Sequence, residues 1–264
     1  MTGYPISLAA GNVQEFLPQE MPTAAAAAGF DCTGIWVEPG DWTADTTREV
    51  RLRCDDAGIV VLDVEVIWIH PGKPTDDLKR IIDIGGEIGA GYGLVVSSDE
   101  DDAGTQRVFA ELCDHALGAG LTLVLEFLPI TAVRSLRQAV DIVTQVNRPN
   151  GRLLIDTLHL ARTGGTVDQV KVLDPALFPY LQIADAPEIA PGSDYDALLR
   201  EAVDGRLLPG DGQLPIRELL DVLPAGLALS PEIRSRALRD RYPDITERAR
   251  AIAEATRRFL DSRV

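Results

Sequence analysis

The amino-acid sequence predicts an α/β protein folded as a single (β/α)8 TIM barrel. Short apolar runs alternate with longer amphipathic stretches along the chain, the pattern of strand–helix units around a parallel sheet. Eight runs and eight stretches can be counted, as a barrel requires, and 264 residues suit that count. The competing doubly wound sheet would carry a glycine-rich phosphate turn after its first run. Here Ala10-Gly11-Asn12 is not G-x-G-x-x-G, and Gly85-Gly86 lies inside an amphipathic stretch, so neither dinucleotide nor P-loop chemistry is signalled. Residues 1–264 are read as one domain, without linker or low-complexity segment.

The first strand is expected at residues 6–10 and its helix at 23–29, where the alanines from Ala24 to Ala28 suit close packing. The second strand, 34–37, leads to a helix at 46–57, and the long apolar run 60–69 leads to a helix at 75–88. Strand four, 93–96, precedes a helix at 102–117, and strand five, 121–128, precedes one at 132–146. The sixth strand is expected at 153–155 with a helix at 167–173, the seventh at 180–184 with 216–222, and the eighth at 227–229 with 245–260. One stretch breaks the rhythm. Residues 186–213 carry Pro187, Pro191, Pro209 and several glycines, and a connection this long in a barrel usually has a functional role. A short helix is expected within it at 195–203.

Charge narrows the partners. The chain holds 25 Lys+Arg against 41 Asp+Glu, a formal net charge of −16, which ill suits nucleic-acid phosphates or anionic lipid. Neither partner is expected. Cys32, Cys54 and Cys113 are odd in number, widely spaced and form no C-x-x-C pair, so they are expected to be buried and reduced. No basic-then-apolar leader is visible, and no apolar run approaches the roughly 20 residues that span a bilayer. A cytoplasmic location is expected.

A barrel places its chemistry at the C-terminal ends of its strands. Four polar residues stand there in consecutive runs: Glu126 after Leu121-Thr-Leu-Val-Leu, Asp156 after Leu153-Leu-Ile, Gln182 within Tyr180-Leu-Gln-Ile-Ala-Asp185, and Glu232 after Leu227-Ala-Leu-Ser-Pro. Three carboxylates converging without a Lys or Arg in those segments repel one another, and protonation or a divalent cation relieves that. An oxygen-rich set suits Mg²⁺ or Mn²⁺, with Co²⁺ tolerated. His159 leaves the sixth run just after Asp156, which points to a general acid/base or a substrate hydrogen-bonding group. Two roles are open to Arg162: holding a substrate oxygen or pairing with an acid. Trp36, Glu38, Trp68 and His70 lie at or beyond the ends of the second and third runs, where aromatics suit the apolar face of a sugar or cyclitol ring. Arg206, in the long connection, and Arg234, after Glu232, are candidates for an anionic substrate group or for the surface. His115, in a helical pattern, is read as structural.

Taken together, Leu-Glu126-Phe-x-Pro, Asp156-Thr-x-His159-x-x-Arg162-x-Gly-Gly, Gln182-x-x-Asp185-Ala-Pro, Leu208-Pro-Gly-Asp-Gly-Gln213 and Ser-Pro-Glu232-Ile resemble the xylose isomerase-like TIM-barrel superfamily. That superfamily includes sugar (phosphate) isomerases and epimerases, inosose dehydratases and the endonuclease IV branch. The resemblance implies a metal set of Glu126, Asp156, Gln182 and Glu232, with Gln182 standing where many members have a histidine, as in some 3-dehydroshikimate dehydratases. The histidine-rich trinuclear zinc site of endonuclease IV is not supplied by three histidines. The implied activity is a divalent-metal-dependent isomerase or epimerase of a sugar, keto-sugar or cyclitol. It would abstract a proton next to a carbonyl through a metal-stabilised enediolate, with Glu126 and Glu232 as the acid/base pair and His159 assisting. Loss of a β-hydroxyl would instead make it a dehydratase, with His159 as base or proton donor. A sugar-binding barrel without catalysis is the remaining reading. Substrate-binding residues are expected among Trp68, His70, Arg162, Asp185, Arg206 and Arg234, and a homo-oligomer is in keeping with the resemblance.

Overall fold

The computed structural model describes residues 3–262. Eight parallel strands follow one another around the sheet in chain order. They are β1 (Ser7–Leu8), β2 (Cys32–Trp36), β3 (Val60–Ile69), β4 (Tyr92–Ser97), β5 (Thr122–Glu126), β6 (Gly151–Asp156), β7 (Tyr180–Ile183) and β8 (Ala228–Pro231). A parallel bridge between Ile6 and Leu229, with the Leu229 amide donating to the Pro5 carbonyl at 2.9 Å, joins β8 back to β1 and closes the barrel. All eight expected strands are present, each flanked by the helices that cover it.

Local chemistry sets the helix limits. The fifth helix begins at Leu136 rather than at 132, because the Ser135 hydroxyl accepts the Gln138 amide as an N-cap and Thr131 ties the preceding turn to the Leu128 and Val133 carbonyls. Its C-cap, Asn147, adopts a left-handed φ of 49°, which a short polar side chain tolerates. Helix Asp102–Ala119 ends on Gly120 at φ 77°, a conformation in which glycine carries no Cβ penalty, and the chain turns directly into β5. Two short helices, Thr157–Arg162 and Arg236–Arg241, went unseen in the sequence because six residues hold too little periodicity. In the long β7–β8 connection, helix Tyr195–Asp204 forms as expected, capped by the Asp194 side chain.

The inside of the barrel is filled by Leu62, Leu94, Val96, Val124, Leu154 and Tyr180, while a larger core lies between sheet and helices. Side chains two residues apart on a strand share a face. Stepping two residues toward the C-terminal end from Val124, Leu154 and Tyr180 therefore reaches Glu126, Asp156 and Gln182, so the inward row changes from apolar to polar at the barrel mouth. On β3 a polar pair lies deeper: the Tyr180 hydroxyl donates to Asp63 Oδ2 at 2.8 Å. Cys54 and Cys113 are buried free thiols and Cys32 is half-buried; burial pushes the Cys113 thiol up to about 12. Among the described residues no helix is long and apolar enough to cross a membrane.

Candidate active site

A cavity of about 310 Å³ opens at the C-terminal mouth of the barrel. Its lining combines the polar side chains of Gln14, Glu65, Glu126, Thr131, His159, Arg206, Glu232 and Arg234 with the apolar ones of Val66, Leu94, Val96, Leu128, Ile130, Leu199 and Val203. Trp36 and Trp68 border it.

Each acid is held by local structure. Asp156 ends β6 and caps the next helix, its Oδ1 accepting the His159 amide at 3.0 Å. That cap turns His159 back over the strand end, so one side chain of Glu126, Asp156 and His159 each brings a potential ligand atom within 4.8 Å of the others. Gln182 stands beside Asp156 in register on β7. The segment around Glu232 is gripped by Asn12, whose Nδ2 donates to the Pro231 carbonyl at 2.8 Å and whose Oδ1 accepts the Ile233 amide at 2.6 Å. Gly11 leaves room for Glu232, since a Cβ there would lie 2.4 Å from its Oε1. Ala10-Gly11-Asn12, uninformative as a nucleotide motif, is thus part of the site's frame.

Arg206 lies at the centre and supplies the compensating cation that the strand segments lack. Its Nη1 donates to Asp156 Oδ2 at 2.5 Å and to the Glu232 carbonyl at 3.2 Å. Nη2 pairs with Glu232 Oε2 at 3.0 Å and donates to His159 Nε2 at 3.2 Å, while Nε donates to the Ala202 carbonyl at 2.8 Å. Four hydrogen bonds and an ion pair hold the guanidinium, so it organises the acids of the site. Because Arg206 only donates, His159 Nε2 accepts and a neutral ring carries its proton on Nδ1. Burial, with Arg206 and Arg234 nearby and against the pull of Asp156, pushes His159 down to about 4, so the ring is neutral at neutral pH. Burial and the charges of Asp156 and Glu232 hold Glu126 well above the usual carboxylate range. Burial also acts to raise Asp156, but Arg206 and His159 outweigh it and keep that carboxyl low.

The donor set fits a hard divalent ion. Glu126 Oε1 and Gln182 Oε1 are buried acceptors with no hydrogen-bond donor, an arrangement that costs free energy unless a cation meets them. When all are ionised, the three carboxylates of Glu126, Asp156 and Glu232 outnumber the one guanidinium by two charges, the amount that one divalent ion neutralises.

The remaining candidates divide. Trp68 and Arg234 line the cavity; Trp68 donates from Nε1 to Ser98 Oγ at 2.8 Å. His70 stacks on Trp68 with ring centroids 5.4 Å apart and lies outside the cavity lining. Arg162 takes the second of its open roles: its Nε and Nη2 each bond Glu201 at 2.7 Å, and Nη2 also donates to the Pro187 carbonyl. Asp185 folds the long connection, its two oxygens accepting the amides of Ala186, Leu214 and Gly210. Glu38 accepts from Trp36 Nε1 at 2.7 Å, and His115 pairs with Asp83 at the surface at 2.7 Å. Glu65 was not anticipated. It sits inside the run Val60–Ile69 rather than at its end, and the only signal was an acid within a strand covered on both faces.

A family model, xylose isomerase-like TIM barrel, matches residues 22–262. The chain belongs to that family. It is similar to a 3-dehydroshikimate dehydratase of Pseudomonas putida, 26% identical over 227 residues that cover 81% of this chain and 35% of the relative, so it spans about a third of that protein's length. An inosose isomerase of Bacillus subtilis is 30% identical over 118 residues, 44% of this chain and 40% of the relative. The solved structure of an IolI protein with a bound zinc atom superposes with a TM-score of 0.81 at 17% identity, covering 98% of each chain, a likeness of fold.

Proposed function

We propose that this barrel is a divalent-metal-dependent dehydratase acting on a 3-dehydroshikimate-like keto-cyclitol acid. The observation that carries the reading is the composition of the cavity lining. Beside its three carboxylates and its histidine, part of the cavity wall is apolar, formed by Val66, Leu94, Val96, Leu128 and Ile130. A polyhydroxylated sugar would leave hydroxyls against that wall without partners, at a cost of about 1–3 kcal/mol each. A ring with an unsaturated or methylene edge meets it favourably, and so does an aromatic product. Gln182 in place of a ligating histidine, and the likeness to the Pseudomonas dehydratase, support the same choice.

Glu126, Asp156, Gln182 and Glu232 would hold the ion, which supplies Lewis acidity at the substrate carbonyl. The neutral ring of His159 takes the proton α to the carbonyl at Nε2, as the hydrogen bond from Arg206 gives way. The electrons of that C–H bond form the new double bond, the β C–O bond breaks, and the departing hydroxide takes the same proton from His159 and leaves as water. Asp156, kept ionised by Arg206 and acting on the ring through its charge, steadies the transient imidazolium. Arg206 holds Asp156 and Glu232 in place throughout, and the apolar wall keeps bulk water from the reacting carbon.

The test is incubation of chelator-treated protein with 3-dehydroshikimate, with and without added Mn²⁺, following aromatic absorbance. Metal-dependent appearance of the aromatic acid is expected. A metal-loaded protein that exchanges the α-hydrogen of an inosose or ketose with solvent deuterium, yet releases no water, would overturn the dehydratase reading in favour of the isomerase or epimerase that the resemblance first implied. In that case Glu126 and Glu232 become the acid/base pair.

A further inference from the structure

We infer that Arg234 forms a carboxylate-reading subsite in the cavity, just past the C-terminal end of β8. The choice of ligand rests on the dehydratase reading. Arg234 is half-buried and lines the cavity, and no side-chain hydrogen bond or ion pair engages its guanidinium among the described residues. Its position is nevertheless defined. The Arg234 carbonyl accepts the Arg206 amide at 3.3 Å, and the side-chain stem runs across Gly11, where a Cβ would lie 3.2 Å from Arg234 Cδ.

A second observation points to a ligand at the same place. Glu65, 2% exposed and on the same lining, keeps Oε1 without a hydrogen-bond partner. The charge of Arg234 is felt at both Glu65 and His159, so the guanidinium stands within electrostatic reach of the reacting groups without being tied to either. A planar guanidinium held free in a partly desolvated cavity matches a carboxylate, which it binds through two parallel hydrogen bonds. Glu65 is then placed to bond a ring oxygen of the same ligand, and Trp68 borders its face. Such a ligand carries its oxygens toward Glu126 at one end and its carboxylate toward Arg234 at the other. A neutral cyclitol fills only the first.

The test uses two probes that share a ring: protocatechuate, which carries a carboxylate, and catechol, which does not. Mn²⁺-loaded wild type, Arg234→Gln and Arg234→Lys are titrated with each by calorimetry, with thermal unfolding and Mn²⁺ binding as controls of fold and site. A charge-assisted pair predicts that wild type prefers protocatechuate by about 10- to 100-fold. The preference should fall to about one in Arg234→Gln and be partly kept in Arg234→Lys, with catechol affinity alike in all three. A preference that survives in Arg234→Gln would mean the carboxylate is read elsewhere, for instance by the metal, and overturns the proposal. Equal affinities in wild type, or no binding of either probe, overturn it too. Turnover of 3-dehydroshikimate on the same samples separates the two ideas. Turnover without carboxylate preference removes the subsite alone, and an Arg234-dependent preference without turnover removes the dehydratase reading alone.

Discussion

Glu201→Gln breaks the buried pair that holds the long β7–β8 connection against the helix following Asp156. Arg162 and Glu201 meet through two 2.7 Å contacts, with side chains 4% and 5% exposed. Removing the charge of one partner leaves the other buried and uncompensated, a loss of about 3–5 kcal/mol for pairs of this kind, with the low end expected because glutamine still accepts one bond. At roughly 2–4 °C per kcal/mol for a domain of this size, the melting temperature should fall by about 6–12 °C. Replacing both partners, Arg162→Met with Glu201→Leu, removes the charges together and leaves only the Pro187 and Glu188 carbonyls, which lie at the surface, to find water. That double variant should recover to within about 1–2 kcal/mol of wild type. Helix Tyr195–Asp204 also carries the Ala202 carbonyl that fixes Arg206 Nε, so the single variant should raise KM as well. Thermal unfolding by circular dichroism with steady-state kinetics reads both effects. A single variant that melts with wild type, or a double variant no better than the single, would refute the reasoning.

Gln182→Leu removes a buried oxygen acceptor from the proposed metal set and should weaken Mn²⁺ binding by at least about tenfold, the low end even for outer-sphere partners; unchanged binding in a calorimetric titration would exclude Gln182 as a ligand. Asp63→Asn probes stability against pH. Burial is the main cause that raises the Asp63 carboxyl from 3.8 to about 6, so between those values the folded state binds more protons than the unfolded chain. Stability from this group is therefore full below pH 4 and lost as pH rises toward 6, by about 3 kcal/mol at 1.36 kcal/mol per unit. Relative to wild type, the asparagine variant should gain that amount between pH 4 and pH 7 in denaturant unfolding, and parallel curves would contradict it.

The eight strands were legible because each is a run of Val, Ile and Leu too short for a covered helix, and the helices because their apolar residues recur on one face. The metal candidates were legible for a related reason. Glu126, Asp156 and Glu232 follow apolar runs directly, and a polar residue there has few places to point except the barrel mouth. Glu65 escaped because β3 runs on past it to Ile69, so it ends no run. Asn12 escaped because its partners, the Pro231 carbonyl and the Ile233 amide, are more than 200 positions away along the chain.

Alternation of apolar runs and amphipathic stretches, which depends only on neighbours along the chain, determined the barrel, its strand order and the ring of acids at its mouth. Which arginine meets which acid depends on distances across the barrel, and no local pattern encodes those. Arg162, Arg206 and Arg234 look alike in the sequence, each a basic residue open to more than one role. Tertiary structure spent the first on Glu201, placed the second among Asp156, Glu232 and His159, and left the third facing the cavity. A charge finds its partner only when the fold has set the separation and excluded the water between them.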